Sequence, residues 1–590
     1  MSKLTKEQKE EQLHAMRHSL AHIMAEAVQE MFPEVQFGIG PVIDNGFYYD
    51  FDLPRTLVPE DLPLIEKKMA EIVKQKNRFE RQEVSKKEAL QFFQKAKEPY
   101  KLELIAELED GEITLFRSGK FVDLCKGPHV ENTGQVGAFK LTHIAGAYWR
   151  GDEKNKMLQR IYGVAFADKK ELKKYLNMVE EAKKRDHRKL GKELDLFCFS
   201  DLVGPGLPLY TPRGTIMKDE LQKHIENICR KYGFQKVSAP AFAKEELFQI
   251  SGHAQKFADE LFHVSSKKKH DFVLKPVQCP HHTQIYASKI RSYKDLPIRY
   301  MESDKQYRAE KTGEVGGLSR VYAITIEDGH SFCQVEQVKD EVVGMVNIIK
   351  EFYTSLGLWR TLKVYLSVRD YEHPEKYIGT PEDWDTCESM LADVCEELNL
   401  QAERQEGEAA LYGPKIDFMF RDALGKEIQI PTVQLDFATP KRFNLKYINS
   451  EGNEVPPVMV HRAVLGSYER FLVMLIEHFA GIFPLWLAPE QVRVIPVSAE
   501  KHLEYAKSIA EELRKNNFRV ELDDSAESVG KKIRNADLMK VNYMIIVGDK
   551  DVEADTVSVR PLRGEDMGAM KLQKFIEIIA KERDEKIIKN

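Results

Sequence analysis

The sequence predicts a multidomain α+β chain: an N-terminal α+β domain, a central domain on a large antiparallel sheet, and a C-terminal α/β domain. Three observations predict it. The chain has 590 residues, about four domains' worth at roughly 150 residues each, so several separate cores are expected. Strand-like segments crowd residues 196–490 without regular βα alternation, which favours antiparallel pairing. Residues 491–590 switch to a βαβαβ rhythm, the mark of a small separate α/β unit. A hydrophobic fraction of 42% and a charged fraction of 31% exclude a mostly disordered, collagen-like or membrane-embedded chain.

Residues 13–31 carry apolar side chains at Leu13, Met16, Leu20, Ile23 or Met24, Ala27, Val28 and Met31, which is helical spacing. GIGPVIDNGFYYDFDL follows, with Gly, Pro and Asn-Gly marking a turn and aromatics suited to strands. Residues 60–95 are charged with helical periodicity, and short strands and turns continue to LQRIYGVAF, so 1–165 is expected to be one domain. Residues 166–195 are dense in charge, with Leu172, Tyr175, Leu176 and Val179 on one face. They read as a linker helix whose KKRDHRK run is a solvated face or a phosphate contact. The region 196–490 opens on the turn-rich LVGPGLPLYTPRG. A helix, a strand ending at Pro240, and strands in RVYAITIEDGHSFCQ, IDFMF, EIQIPTVQLDF and VMVHRAVLG follow. The most apolar window, 471–489, contains Glu477, His478 and Pro484 and reads as a buried helix with a turn, not a membrane span. In 491–590, strands in QVRVIPV, FRVEL and YMIIVGD alternate with two helical segments.

Net charge is 88 minus 94, or −6, so no whole-chain basic field draws nucleic acid, although a local patch would suffice. Residues 491–590 hold nineteen basic and nineteen acidic residues, so charge does not identify a partner there. Seven scattered cysteines, an odd count with no CxxC pair, argue against a disulfide scaffold and for a reducing compartment, the cytoplasm. The polar N-terminus MSKLTKEQKEEQ has no signal-peptide core.

Three constellations carry chemistry. His18 and His22 share a helix face, and Cys125 and His129 sit in a Gly-Pro turn with Asp123 two residues before. A zinc site, a metal-free hydrolytic pocket and satisfied core histidines are all open readings. Cys279, His330 and His461 are 51 and 131 residues apart, spacings that say little alone, yet each occupies an unusual context. Two His and one Cys would hold zinc with an open position. The third set is cationic. Arg308 and Glu310 lie in YRAE, Arg320 follows a glycine-rich loop, and Arg470 stands in the first turn of the apolar helix. Such arginines clamp polyphosphate or form surface ion pairs. Neither GxxxxGK[ST] nor GxGxxG is present, which disfavours a P-loop or dinucleotide site.

The ordered series HSLAHIMAEAV, GPVIDNGFYYDFD, FVDLCKGPH, GAYWRGDEKNKMLQRIYG, a motif 1 ending at Pro240, YRAE with LSR, YGPKIDF, TVQLDF, HRAVLGSYERF and YMIIVGDK covers nearly the whole chain. It resembles the threonyl-tRNA synthetases, class II aminoacyl-tRNA synthetases. The resemblance implies a class II catalytic domain at 196–490 joined by a linker helix at 166–195 to an editing domain at 1–165. An anticodon-binding domain at 491–590 completes it. It implies that ATP and L-threonine form threonyl-adenylate and that threonine passes to the 3′ end of tRNA(Thr). Arg308 matches the arginine on the α-phosphate and carboxylate, and Glu310 the adenine reader. Arg320 and Arg470 match the β- and γ-phosphate clamps, and Mg²⁺ would accompany ATP. Gln429 and Thr432 match positions lining the adenosine or the active-site wall, and Tyr412 and Asp328 match residues near the substrate threonine. Cys279, His330 and His461 match zinc ligands. His18, His22, Asp123, Cys125 and His129 match a metal-free site that clears mischarged seryl-tRNA(Thr). Glu527 and Arg534 are candidates for tRNA contact, and a homodimer is implied.

Several positions depart from the family pattern. HSLAH begins at residue 18, without the usual preceding ubiquitin-like domain. NCPGH reads QCPHH, with Gln278 and His281, and His281 could crowd the zinc turn or compete as a ligand. An arginine-glycine pair is Tyr322-Ala323, a glutamine is Ile326, and a cysteine is Ile430 followed by Pro431. These surround the amino-acid pocket, so a repurposed ligase with another amino acid, or a non-catalytic tRNA-binding paralogue, are the alternatives.

Overall fold

The computed structural model describes residues 5–268, 270–311 and 313–589. The chain forms two compact units, one ending at Glu180 and one beginning at Glu181.

The first unit is built around the helix Lys6–Met31, capped by Thr5, whose hydroxyl accepts from the Gln8 N–H. Leu20, Ala21, Ile23, Met24, Ala25, Ala27 and Val28 are fully enclosed. The expected stripe is thus widened to almost the whole circumference, as in a helix inside a core. It packs on an antiparallel sheet in which Gly46–Asp52 pairs Met157–Phe166, which pairs Ala138–Tyr148. The Asn-Gly turn forms as expected, with Asn45 at φ 59° between Val42–Ile43 and Gly46–Asp52. Residues 60–95 are not continuously helical. The strand Phe79–Glu83 separates helices Asp61–Gln75 and Lys86–Ala96 and pairs with Thr114–Ser118, which pairs Phe121–Leu124. Its charged sequence hides the strand because none of its side chains is buried and three of the five are exposed.

The second unit holds two sheets of consequence. The larger has eight strands in the order Gln235–Lys236, Ile298–Tyr307, Ala323–Cys333, Val458–Ser467, Glu427–Asp436, Lys415–Arg421, Lys363–Val368 and Glu403–Glu406. Its interior pairs are all antiparallel, and parallel pairs occur only at its two edges. The strand expected to end at Pro240 is only Gln235–Lys236. The apolar window near 471–489 is the buried helix Tyr468–Phe479 followed by turns. The C-terminal sheet runs Val520–Leu522, Val492–Pro496, Tyr543–Val547, parallel as the βαβαβ rhythm requires, then adds antiparallel Val557–Pro561 and Gly568–Met570. Among the described residues no helix is long and apolar enough to cross a membrane.

Candidate functional site

The register of the large sheet explains how residues far apart in sequence meet. His330 lies opposite His461, and His461 opposite Gln434. Two residues along, Glu302 faces Asp328, Asp328 faces Ala463, Ala463 faces Thr432, and Thr432 faces Asp417. Because side chains alternate along a strand, these two rows present one face. Cys279 reaches it from the first turn of the helix Cys279–Ala287.

Cys279, His330 and His461 are all buried, and their donor atoms lie within 4.8 Å of one another. Their hydrogen bonds prepare both imidazoles as neutral ligands. Asp436 Oδ2 is 2.9 Å from His461 Nε2, and Asp436 is itself fixed by the N–H groups of Ala438 and Thr439 on Oδ1. With the carboxylate taking the Nε2 proton, His461 keeps its lone pair on Nδ1. Glu302 is 3.3 Å from His282 Nε2, and His282 Nδ1 is 2.7 Å from His330 Nδ1. With Glu302 accepting from His282, His282 accepts from His330 Nδ1–H, which leaves the lone pair of His330 on Nε2. Burial pushes His330 well below the usual histidine range. Three buried donors with outer partners that fix the tautomers suit a thiolate–imidazole metal. His281 is not in this donor set. It packs near Phe248, at 6.0 Å between rings, with neither ring nitrogen hydrogen-bonded.

Around this centre, Tyr412 stacks on His461 at 5.2 Å and donates to Gln434 Oε1. Burial pushes the Asp328 carboxyl up to about 6, against the pull of His282 and His461. Gln429 and Thr432 both donate to Asp417 Oδ1, at 2.6 and 2.8 Å. Three residues apart, they would point to opposite faces of a regular strand. The register slips by one residue between Gln429 and Thr432, a bulge containing Ile430 and Pro431, which returns both to one face.

The cationic set gathers on the same side of the unit. Arg308 donates to Pro276 O and lies 4.8 Å from the Phe257 ring. Burial lowers its pKa, as does Arg470, while Glu260 and Glu310 oppose. Arg320 pairs with Glu310 at 2.7 Å and Glu314 at 3.1 Å. Arg470 Nε donates to Ser319 O at 3.0 Å. Sequence reasoning missed His282, Asp436, Asp417 and His253. His253 is buried and hydrogen-bonded to Ser251, and burial, with Lys256 and Arg308 nearby, lowers its pKa to about 4. A signal existed for three of them: His282 adjoins the Cys279 turn, Asp417 lies in YGPKIDF, and Asp436 ends the TVQLDF strand.

In the first unit, His18, His22, Cys125 and His129 also bring their donor atoms within 4.8 Å of one another. The Cys125 sulfur is 3.2 Å from both His18 Nε2 and His129 Nε2, and accepts from Gly127 N. Bonds of about 2.3 and 2.05 Å to a tetrahedral zinc would hold sulfur and nitrogen roughly 3.5 Å apart, so these are direct hydrogen-bond distances. Ser19 donates to Ala15 O and accepts from Val130 N and His129 Nδ1, so His129 Nε2 is left to accept from the thiol. Burial pushes the Cys125 thiol up to about 12 and the three imidazoles below their usual range, the neighbouring histidines adding to the effect. Burial therefore favours the neutral form of all four groups. Gly127, at φ +77°, turns the chain so that its N–H meets the sulfur. Asp123 lies 3.8 Å from His22, accepts from Tyr49 O–H at 2.5 Å and pairs with Lys101 at 2.5 Å. Tyr49 had a signal only as part of GPVIDNGFYYDFD, and Lys101 had none beyond being a polar group among apolar ones. Glu527 is exposed in the bend before the helix Val529–Leu538 and pairs with Lys531, and Arg534 is exposed on that helix.

Residues 262–479 match the family model of the class II tRNA synthetase core domain (G, H, P, S and T). Residues 491–582 match an anticodon binding domain, and 113–162 the threonyl and alanyl tRNA synthetase second additional domain. The chain is 46% identical over 576 residues to the threonine–tRNA ligase of Halalkalibacterium halodurans, covering 97% of this chain and 89% of the relative. It is 46% identical over 582 residues to that of Phocaeicola vulgatus, covering 98% and 90%. The solved RNA binding domain of threonyl-tRNA synthetase from Cryptosporidium parvum matches with a TM-score of 0.63 and 34% identity, over 67% of this chain and 98% of that one. The chain belongs to the threonine–tRNA ligase family of class II aminoacyl-tRNA synthetases.

Proposed function

We propose that this chain activates L-threonine with ATP as threonyl-adenylate, transfers it to the 3′ end of tRNA(Thr), and hydrolyses mischarged seryl-tRNA(Thr) in its first unit. The observation that carries the reading is the pair of rows across the large sheet, which set the donors of His330 and His461 beside Asp328 and Thr432. Cys279, His330 and His461 would hold zinc, which would supply a Lewis acid for the amino and hydroxyl groups of threonine, and valine lacks the hydroxyl. Asp328, ionised above about pH 6, faces the substrate ammonium. Arg308 stabilises charge on the α-phosphate, Glu310 reads adenine, and Arg320 and Arg470 clamp the outer phosphates with Mg²⁺. Gln429 and Thr432, fixed by Asp417, form the adenosine wall, and Tyr412 closes the threonine side.

Serine keeps the hydroxyl and lacks one methyl, a difference worth only about 1–3 kcal/mol, so mischarging follows from the same recognition. In the first unit a neutral thiol and neutral imidazoles activate water, with Asp123 orienting His22. We assign residues 1–165 to editing, 166–195 to the linker helix, 196–490 to catalysis and 491–590 to the anticodon, with Glu527 and Arg534 as tRNA contacts. A homodimer in the cytoplasm completes the proposal. Identity of 46% over nearly the whole chain favours this over a repurposed ligase or a non-catalytic paralogue. The test is elemental analysis paired with ATP–pyrophosphate exchange over an amino-acid panel. One zinc per chain and exchange with threonine but not valine support it. Best exchange with another amino acid overturns it.

A further inference from the structure

A turn of the glycine-rich loop that ends at Arg320 rests on a histidine that the site described above does not use. Residues Gly316–Arg320 close on themselves, Gly316 N–H bonding Arg320 O and Ser319 N–H bonding Gly316 O. The side chain of Leu318 is sunk in the main core. Its N–H points the other way, to Nε2 of His187 at 3.3 Å. Nδ1 of the same ring is 2.8 Å from Glu477 Oε1. Glu477 belongs to the helix Tyr468–Phe479, which also carries Arg470, and Arg470 Nε holds the neighbouring carbonyl, Ser319 O, at 3.0 Å. The contacts close a ring: His187, the Leu318–Ser319 peptide, Arg470, the helix, Glu477, and back to His187.

Only one state of the imidazole satisfies both its partners. Glu477 needs a donor and the Leu318 N–H needs an acceptor, so the ring carries its proton on Nδ1 and its lone pair on Nε2. The ring is buried and the loop backbone lies directly on it. A Cβ added at Gly317, which stands at φ +52°, would fall 2.3 Å from His187 Nε2 and 3.0 Å from Arg188 Cγ. The same turn ends at Arg320, and Arg320, Arg470 and His187 all line a cavity of about 710 Å³.

We propose that His187 is a positioning residue for ATP: it holds the Gly316–Arg320 turn, and through it the spacing of Arg320 from Arg470. This rests on the reading of those two arginines as phosphate clamps. Both ring nitrogens are taken by Glu477 and the Leu318 N–H, so the loss of the ring acts through the turn. Stranding a buried backbone donor has a measurable penalty, and His→Asn and His→Gln divide the two functions of the ring. Glutamine can return an acceptor to the Leu318 N–H. Asparagine, which is shorter, serves only the Glu477 side.

The experiment is ATP–pyrophosphate exchange with H187A, H187N, H187Q and G317A, taking KM for ATP and for threonine separately, with deacylation of seryl-tRNA(Thr) in parallel. H187A, H187N and G317A are expected to raise KM for ATP about tenfold, H187Q less than about threefold. KM for threonine and deacylation should stay within about twofold of the parent. Unchanged KM for ATP in H187A overturns the proposal. So does an equal loss in H187N and H187Q, which would make the ring a mere filler, or an equal rise in both KM values, which would mean general loosening. If the parent protein gives no ATP-dependent exchange, the phosphate-clamp reading itself fails, an outcome distinct from each of these.

Discussion

Replacing Lys101 with methionine separates stability from chemistry in the first unit. Lys101 and Asp123 are each only 3% exposed and lie 2.5 Å apart. Removing one member of such a pair leaves the other as a buried, uncompensated charge, at a penalty of about 3–5 kcal/mol. Asp123 keeps two donors, the Tyr49 hydroxyl at 2.5 Å and the Leu124 N–H at 2.8 Å, which places the loss near the lower bound, about 3 kcal/mol. Lys101 also donates to the Tyr49 oxygen at 3.0 Å, so its loss frees the tyrosine that steadies Asp123 beside His22. Hydrogen exchange across 46–52 and 114–124 in the full chain reads the stability. Deacylation of seryl-tRNA(Thr) reads the chemistry, with a decrease of about 100-fold expected for a misplaced acid–base group. The double variant K101M/D123N removes the stranded charge and should regain stability without regaining deacylation. Restored deacylation in the double variant, or stability of K101M within about 0.5 kcal/mol of the parent, would refute the reasoning.

Other consequences follow from single groups. Burial and Glu30 raise Glu26 from 4.5 to about 7, so the folded state holds a proton there that the unfolded chain has released. Stability then falls as pH rises from about 4.5 to about 7, by at most about 3 kcal/mol; E26Q should flatten that slope in thermal melts between pH 5 and pH 8. Asp436→Asn keeps an acceptor for Ala438 and Thr439 but reverses the donor to His461, and metal affinity measured by competition should fall about 10–100-fold. Asp417→Asn weakens the shared anchor of Gln429 and Thr432, and its KM for ATP should rise while zinc content is unchanged. An unchanged KM would show that the bulge alone holds both side chains.

Much of the fold was legible because its signals are local. The helix over 13–31, the Asn-Gly hairpin, the buried helix after Arg470 and the βαβαβ rhythm each follow from periodicity or turn chemistry within a short window. The strand Phe79–Glu83 was not legible, since a half-exposed strand of alternating charge looks like a helix surface. The site divided along the same line. His18 and His22 announce a shared face at four residues' spacing. His330 and His461 announce nothing, because strand register brings them together and register is a property of the whole sheet. The partners that tune the ligands, His282 with Glu302 and Asp436, come from the helix beside Cys279 and from neighbouring strands, so resemblance located the donors and only geometry showed which nitrogen each keeps free. The bulge at Ile430–Pro431 belongs to the same class: a departure from the family's residues that still leaves Gln429 and Thr432 facing Asp417.

Substrate choice rests on a metal that tells a hydroxyl from a methyl. The direct measurement is the ratio of threonine to valine in ATP–pyrophosphate exchange, taken on the purified protein, after chelation, and after zinc is returned. An apolar pocket alone separates such isosteres by only about 100-fold. The account predicts a larger ratio in the zinc-loaded protein, its collapse on chelation and its recovery with zinc. A ratio untouched by removal of the metal would contradict it.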